Sequence, residues 1–588
     1  MPARRGGAEG MSQAAVQLWR DGVASFAPYV TADGELRDPV WGAPTQYGTA
    51  YHAYCQAVLA RVQQGSPAGE RAAARAACGL AAAARHVGDP TEPPTLASFH
   101  RDTGQAGRGN HRDFFWPPLL RGWRILADLG HPDAPALAAQ IARVPILRSF
   151  SSRPPSNWAA VWLSGEWRRM RAELSPTSPD AFDAWLAAFF QSGRILLDRG
   201  FYQEPGHPNS YDLFTRYHLA DILAAGYAGV WQPELWRLLE TGLGRSLAVQ
   251  LSDGGLASAH RSTGQTWTLG CQVAYFMTAS RLLADRDPAA SGRARTAAAL
   301  AASAMARARR ADGPFSPVEN TLPPAWRVGY EPYTADAHYG TLALAFLGAA
   351  RPWDLPPPES DGRPATTFCE GDPVHRALCH HGRYSVHLNG FPAPDYDAFG
   401  IVDLTVGPGR LLQFASSVRQ AAGGALWNLG LALRDGPDRA AIRPVCQAAL
   451  ALARPIAPGE APASLRLEAR PRGADHLYRL AVRVTPGGVD VEEATPGRHG
   501  PLTLMVPYLR DAGSGRQTTV RVGRAAGGGT RVELGLGEER VALDVEAELA
   551  WSLDLPHGAE NRRGVCGLLR LDLAGERALL RYRVHVVA

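Results

Sequence analysis

Arg351-Pro-Trp-Asp-Leu-Pro-Pro-Pro-Glu-Ser-Asp-Gly-Arg-Pro-Ala-Thr366 is the stretch on which the fold turns. Proline has no amide donor and a fixed φ, so five prolines in sixteen residues end any helix and start no central strand. The apolar pattern differs on its two sides. Upstream, apolar residues recur at i, i+3, i+4 and i+7, as in Phe182, Trp185, Leu186, Phe189 and Phe190. Downstream the period is two: Tyr384-Ser-Val386-His-Leu388, Arg479 to Val484, Arg531 to Leu536 and Leu579 to Val587.

Working outward, helices are expected at 46–64, 68–86, 113–129, 134–143, 156–173, 179–199, 212–227, 232–250, 268–285, 288–310 and 336–350, with no strand between them. No 34- or 40-residue self-similarity supports a solenoid. Helical hairpins closing into a toroid fit better. Turn signals such as Pro486-Gly487-Gly488 and Gly527-Gly528-Gly529 separate the downstream runs, as in an antiparallel sandwich. The expected architecture is multidomain, α then β. An N-terminal (α/α) toroid covers 12–350, a linker 351–366, and a C-terminal antiparallel β-sandwich 367–588.

Composition narrows the chemistry. With 45% apolar and 20% charged residues, the 588-residue chain can bury large cores. The net charge of +5 is small, and no concentrated basic stretch points to nucleic acid. All 61 basic residues are Arg. Lysine Schiff bases, PLP-lysine chemistry and a Walker A loop are thereby excluded, and every fixed cation is a guanidinium, suited to bidentate carboxylate binding. Seven scattered Cys without a CxxC pair argue against a disulfide framework or a structural zinc site. Cys379-His380-His381 with His387 has superficial ligand character, but strand neighbours point to opposite faces, so neither metal nor cofactor is expected. There is no apolar run of transmembrane length, and no secretory h-region follows Met1. A cytoplasmic protein without membrane association is therefore expected, or a secreted one if the true start is mis-assigned. The oligomeric state is not readable.

The helical half gathers His, Tyr, Arg and Asn at helix starts and connectors, more than a bare bundle needs. The densest cluster runs from Gly200 to His218 and holds Tyr202, Gln203, Glu204, His207, Tyr211, Asp212, Arg216, Tyr217 and His218. On a helix, Tyr211, Thr215 and His218 share one face. Further clusters are Ser156-Asn157-Trp158, Asn110 to Trp116 with His111, Asp253 to Arg261 with His260, and Gly329 to Tyr339 with Tyr330, Glu331, Tyr333, Asp336 and His338. Asn157 also reads as an ordinary cap residue, and Trp158, Trp162 and Trp167 as core. The connectors of a toroid can converge on one end of its cavity, where a ligand binds.

These motifs resemble the polysaccharide lyases that join an (α/α) toroid to antiparallel β-sheets: hyaluronate and chondroitin lyases, heparinase II/III-like proteins and oligoalginate lyases. Asn157-Trp158 is similar to the Asn-Trp of the hyaluronate type. Asp198-Arg-Gly-Phe201-Tyr-Gln203, followed by His207 and Tyr211, resembles their Asp-Gly-x-Phe-x-Gln segment, although Glu204 to Gly206 intervene before His207 and Tyr217 falls ten residues after it. Glu204, Pro208, Tyr217 and His218 echo the Glu-x-Ser-Pro-x-Tyr-His of heparinase-like proteins. The resemblance implies β-elimination on an acidic oligo- or polysaccharide containing uronic acid. Asn157, His207, Tyr211, Tyr217 and His218 would be catalytic. Arg216, Trp158, His111, His260, Arg261, Tyr330, Tyr333 and His338 would bind substrate. The base stays open among His207, Tyr211, Tyr217 and His218. Two alternatives are a hydrolase with carboxylates drawn from Glu204, Asp212, Glu319, Glu331 and Asp336, and a non-catalytic carbohydrate-binding protein.

Overall fold

The computed structural model describes residues 5–88, 98–99, 106–107, 111–205, 210–358, 364–371, 374–393, 396–406, 417–420, 425–434, 442–445, 450–453, 456–472, 475–497, 501–555, 557–573 and 578–587. Its α-helices are α1 (Arg5–Ala24), α2 (Gly48–Val62), α3 (Pro67–Gly88), α4 (Arg112–Asp128), α5 (Ala134–Ala142), α6 (Ile146–Ser149), α7 (Asn157–Arg171), α8 (Pro179–Phe190), α9 (Ser210–Ala224), α10 (Gln232–Ala248), α11 (Thr266–Leu283), α12 (Pro288–Met305) and α13 (Thr341–Ala350). Their starts follow capping rules. The Ser156, Ser178 and Asp287 side chains accept the Ala159, Ala181 and Ala290 amides that open α7, α8 and α12.

Helix α2 packs on α4, α4 on α7, α7 on α9, α9 on α11, α11 on α13, and α13 back on α2, closing a cycle of six. Helices α3, α10 and α12 pack outside α2, α9 and α11. Small residues permit the closest approaches. A Cβ on Gly270 of α11 would stand 2.6 Å from the Ala343 carbonyl oxygen of α13, and one on Gly165 of α7 would meet Trp116 of α4 at 2.7 Å. Trp19, Trp116 and Trp162 are fully buried in the core of this half.

Two expectations need correction here. Helix α8 stops at Phe190 rather than running to 199, because left-handed Gly193 breaks it. Beyond it, Ile195–Leu196 pairs antiparallel with Phe201–Tyr202 across left-handed Gly200, and Ser98–Phe99 pairs with Ala106–Gly107. The first half therefore does contain short strand pairs, too brief for a period-two signal.

After α13 every named strand lies in one of three antiparallel sheets. Thr366–Glu370, Arg376–His381, Tyr384–Asn389 and Gly400–Val406 form a four-stranded meander. A second sheet is centred on Leu502–Asp511 and Gly564–Asp572, and a third on Gly488–Ala494 and Leu579–Val586. Tyr478–Thr485 alternates buried and less buried positions along its length, whereas the first eight residues of Leu502–Asp511 are all buried. Val386, Leu504 and Val584, one from each sheet, share a single apolar core.

Candidate active site at the helix starts

The first residues of the ring helices meet in an aromatic collar. Tyr47, directly before α2, lies 6.3 Å from the His111 ring before α4, 5.3 Å from His338 and 6.2 Å from Tyr339. His111 lies 4.8 Å from Trp158 near the start of α7. Tyr211 of α9 stands 5.8 Å from Trp267 of α11, and Trp267 lies 6.4 Å from Tyr339 in the turn before α13. This end of the cycle gathers helix N-termini, whose free amides and dipoles favour an anion.

Tyr211 carries the chemistry of the collar. Its hydroxyl lies 3.0 Å from Ser262 Oγ, and the exposed Arg261 guanidinium sits over its ring at 5.1 Å. Burial raises the Tyr211 pKa above its ordinary value, while Arg261 and the Ser262 hydrogen bond oppose that rise. The cluster of tyrosine hydroxyls, Tyr211 first, holds the Arg261 pKa up. Ser262 is fixed from below. Its backbone N–H donates to Glu331 Oε1 at 2.7 Å, its Oγ lies 2.8 Å from the Tyr333 hydroxyl, and that hydroxyl donates to Glu331 Oε2. Ser262 adopts a left-handed φ of +65°, a strained backbone held by these contacts. Burial raises the Glu331 pKa, countered chiefly by Arg562, whose guanidinium lies 3.7 Å away.

Asn157 opens α7 because Ser156 takes the cap position. Its side chain hydrogen-bonds Glu204, while its buried Oδ1 has no partner among the described residues. The Tyr202 hydroxyl reaches Glu204 Oε2 at 3.0 Å. Burial raises the Glu204 pKa, against the Asn157 and Tyr202 hydrogen bonds and then Arg261. Glu204 thus joins Asn157 to the Tyr211–Arg261 neighbourhood. His338 is fully buried, and burial followed by His111 depresses its pKa well below that of a free imidazole.

The structure therefore brings together Asn157, Trp158, His111, Tyr211, Arg261, Tyr333 and His338. His207 lies outside the described residues. Five other candidates are placed elsewhere. The Arg216 guanidinium is consumed inside the fold by both Asp212 oxygens at 2.9 Å, the Gly242 carbonyl and Ser246. Tyr217 stands six residues beyond Tyr211, about 9 Å along the helix, where its hydroxyl accepts from Arg121. His218 Nδ1 meets Ser164 Oγ at 3.1 Å, and burial depresses its pKa to about 3. Tyr330 donates to Asp336 and accepts from Arg310. His260 lies between the two halves, its N–H on Asp397 and its Nε2 2.8 Å from the Phe391 carbonyl. Each of these shares a segment with a collar residue, and helical rotation or a turn carries it away.

Tyr47, Ser262, Trp267 and Arg562 escaped sequence reasoning, while Tyr202 and Tyr339 stood inside its clusters without a role. Tyr47 and Trp267 occupy helix starts as His111 and Asn157 do, which was a usable signal. Arg562 arrives from the β-half by tertiary folding alone. Among the described residues no three His, Cys, Asp or Glu side chains gather to hold a metal, and His387 is turned to Asp403 at 3.4 Å.

No protein-family model and no curated protein matches the chain. Among solved structures it is similar to a Paenibacillus xanthan lyase, with a TM-score of 0.49 and 11% identity, covering 98% of this chain and 57% of that one. It is also similar to heparinase III, at 0.44 and 10%, covering 98% and 84%, and to a chondroitinase AC lyase, at 0.48 and 10%, covering 98% and 82%. The chain thus spans little more than half the length of the xanthan lyase.

Proposed function

We propose that the chain is a lyase that cleaves a uronic-acid-containing oligo- or polysaccharide by β-elimination, in an (α/α) toroid backed by an antiparallel β-sandwich. The closed cycle of six helices supports the toroid. The observation that carries the chemistry is the Tyr211 hydroxyl, set beside Ser262 and under Arg261 at the collar that also holds the Asn157 amide.

The C5 proton of a uronate is too weakly acidic until its C6 carboxylate is neutralised. Arg261 and Asn157 supply that neutralisation and stabilise the developing dianion. Once the C5 proton is removed, its electron pair forms the C4=C5 bond, the C4–O4 bond breaks, and O4 takes a proton. Tyr211 is suited to give that proton, because its raised pKa keeps the hydroxyl neutral near pH 7. The base is His207, or Tyr211 itself from the minor phenolate form that the Arg261 guanidinium favours, in which case the proton it takes from C5 is the one it returns to O4. The Glu331–Tyr333–Ser262 chain positions the Tyr211 oxygen. Neither a lysine nor a nucleophilic serine enters these steps.

The test is a panel of uronate polymers and oligomers followed in the ultraviolet. A lyase leaves a 4,5-unsaturated, absorbing end. Saturated products, together with loss of activity in Glu204→Gln or Glu331→Gln, would establish a hydrolase instead.

A further inference from the structure

The opposite end of the helical cycle holds a cavity of about 850 Å³. That lies within the size range of small-molecule sites, roughly 300–1,000 Å³. It is formed where α2, α4, α7, α9 and α13 end, and six arginines line it: Arg61, Arg121, Arg124, Arg168, Arg171 and Arg351. Arg61 and Arg124 share Asp128 at 2.8 Å each, and Arg121 and Arg168 share buried Asp221. Six guanidinium groups thus face two carboxylates. Exposed Arg171 and Arg351 have no ion-pair partner among the described residues.

The bland explanation is that arginines offset the negative ends of the helices. Five ends at about half a charge each amount to roughly two and a half negative charges, less than the formal excess of four positive ones. Crowding of like charge shows in a neighbour as well. Burial, then Arg351 and also Arg121, lowers the pKa of Arg281, whose Nη1 lies 3.4 Å from the Ala350 carbonyl oxygen. The charges are spread over several helix ends instead of converging on one point. The Trp353 indole, 37% exposed, stands on the rim. A single small anion needs neither that spread nor an apolar plate, whereas a chain of charged pyranose rings uses both.

We infer that this far-end cavity is a second binding site for a multiply charged anionic oligosaccharide, held by Arg171 and Arg351 with Trp353 as a stacking face. Tyr217 and His218 belong to the wall beneath it and not to the collar: a small void lined by both residues also touches Arg121 and Tyr54, which line the cavity. The inference stands apart from the lyase reading, since it uses none of the collar residues.

Calorimetric titration of the full chain with a sulfated glucosamine–uronate hexasaccharide tests it, with neutral maltohexaose and inorganic pyrophosphate as comparison probes. Two binding events are expected for the sulfated hexasaccharide and none for maltohexaose. Arg171→Glu with Arg351→Glu should weaken one event at least about tenfold, the size of one lost charge-assisted hydrogen bond. Arg171→Ser with Arg351→Ser provides the same reading should charge reversal disturb folding. Trp353→Ala should weaken the hexasaccharide several-fold and leave pyrophosphate unchanged. Unaltered binding in both arginine double variants overturns the site. Pyrophosphate binding as tight as the hexasaccharide, with no effect of Trp353→Ala, overturns the saccharide assignment in favour of a small-anion site. Loss of both events in Arg261→Ser places all binding at the collar and also overturns it. If Arg261→Ser removes neither event, the collar reading falls while the far-end site stands.

Discussion

Tyr211 and Tyr217 sit six residues apart on one helix, yet their surroundings assign them different work. Tyr211 faces Arg261 and Ser262 at the collar, while Tyr217 is buried against Arg121. Tyr211→Phe removes only a hydroxyl. It should lower kcat by about 10²–10⁴-fold, the usual worth of a general acid or base, while substrate affinity changes little. Tyr217→Phe should keep a near-normal kcat and lose about 1 kcal/mol of stability with its hydrogen bond. Steady-state kinetics on both variants checks the pair, and the reverse ranking would remove Tyr211 from the mechanism. His218 offers a test in pH. An unfolded histidine titrates near 6.5, but burial holds His218 at about 3 in the fold. Between those values only the unfolded chain takes the proton. The contribution of this group to stability is whole above about pH 6.5 and is lost as pH falls toward 3, by up to about 1.4 kcal/mol per pH unit. Urea unfolding of His218→Gln at pH 7, 6 and 5 should show a slope against pH that is shallower by a fraction of a proton near pH 7, rising to about one proton by pH 5, and an identical slope would refute the assignment. At this scale the sequence showed which residue types mattered, but not which way they point. Tyr211, Arg216, Tyr217 and His218 share one segment, and only tertiary packing separates the collar residue from the three buried in walls.

Helix α9 illustrates what an element must resolve. Its first turn carries Asp212, bonded to the Arg216 guanidinium one turn on and to the Tyr202 amide at 2.8 Å. Arg245 of α10 adds a contact at 3.5 Å and also reaches Glu370, the last residue of the first β-sheet strand after the break. Burial alone would raise the Asp212 pKa, but Arg216 and Arg245 hold it below the ordinary carboxylate range. Asp212→Ala would leave the buried Arg216 guanidinium without a carboxylate partner, Arg245 keeping Glu370, and should cost about 3–5 kcal/mol, read as a shift of the denaturation midpoint at unchanged slope. A loss below 1 kcal/mol would mean that water reaches the site. Elements themselves were largely legible. The 3.6-residue period located the stretches that became α2 to α5, α7 and α9 to α13, and the period of two located Tyr478–Thr485 and Leu579–Val586. What failed was punctuation. The 179–199 stretch overran Gly193, and the short pairing of Ile195–Leu196 with Phe201–Tyr202 has too few residues to display a period.

The two halves of the molecule are joined by buried charge, and this gives the whole chain a property that neither half has alone. Arg563, next to the Gly564–Asp572 strand, reaches Asp253 at 2.7 Å and Glu319 at 3.4 Å, while Arg307 from the helical half reaches the same two carboxylates at 3.2 and 2.8 Å. Asp253 is lowered in pKa by Arg307 and Arg563 against a burial term that would raise it. Beside this quartet, Arg562 lies between Glu331 and Asp397, and the Arg562 carbonyl accepts from Asn320 Nδ2 at 3.1 Å. Ser252 of the helical half meets Ser385 and Thr405 of the four-stranded sheet at 2.9 Å. Separating the halves would break the buried pairs that Arg563 makes with Asp253 and Glu319 and that Arg562 makes with Glu331, leaving Arg307 alone between Asp253 and Glu319. The halves should therefore unfold together. Scanning calorimetry of the full chain is expected to give one cooperative transition despite two apolar cores. Arg563→Met keeps the side-chain bulk but removes the charge. It should lower that transition as a whole, by about 3–5 kcal/mol of stability, without splitting it. Because Arg562 braces Glu331, and Glu331 fixes Ser262 beside Tyr211, Arg562→Met should also reduce kcat more than it raises KM. Two separate transitions in the unaltered chain, with Arg563→Met shifting only one, would show that the interface is an ordinary contact between independent domains and that the collar is assembled by the helical half alone.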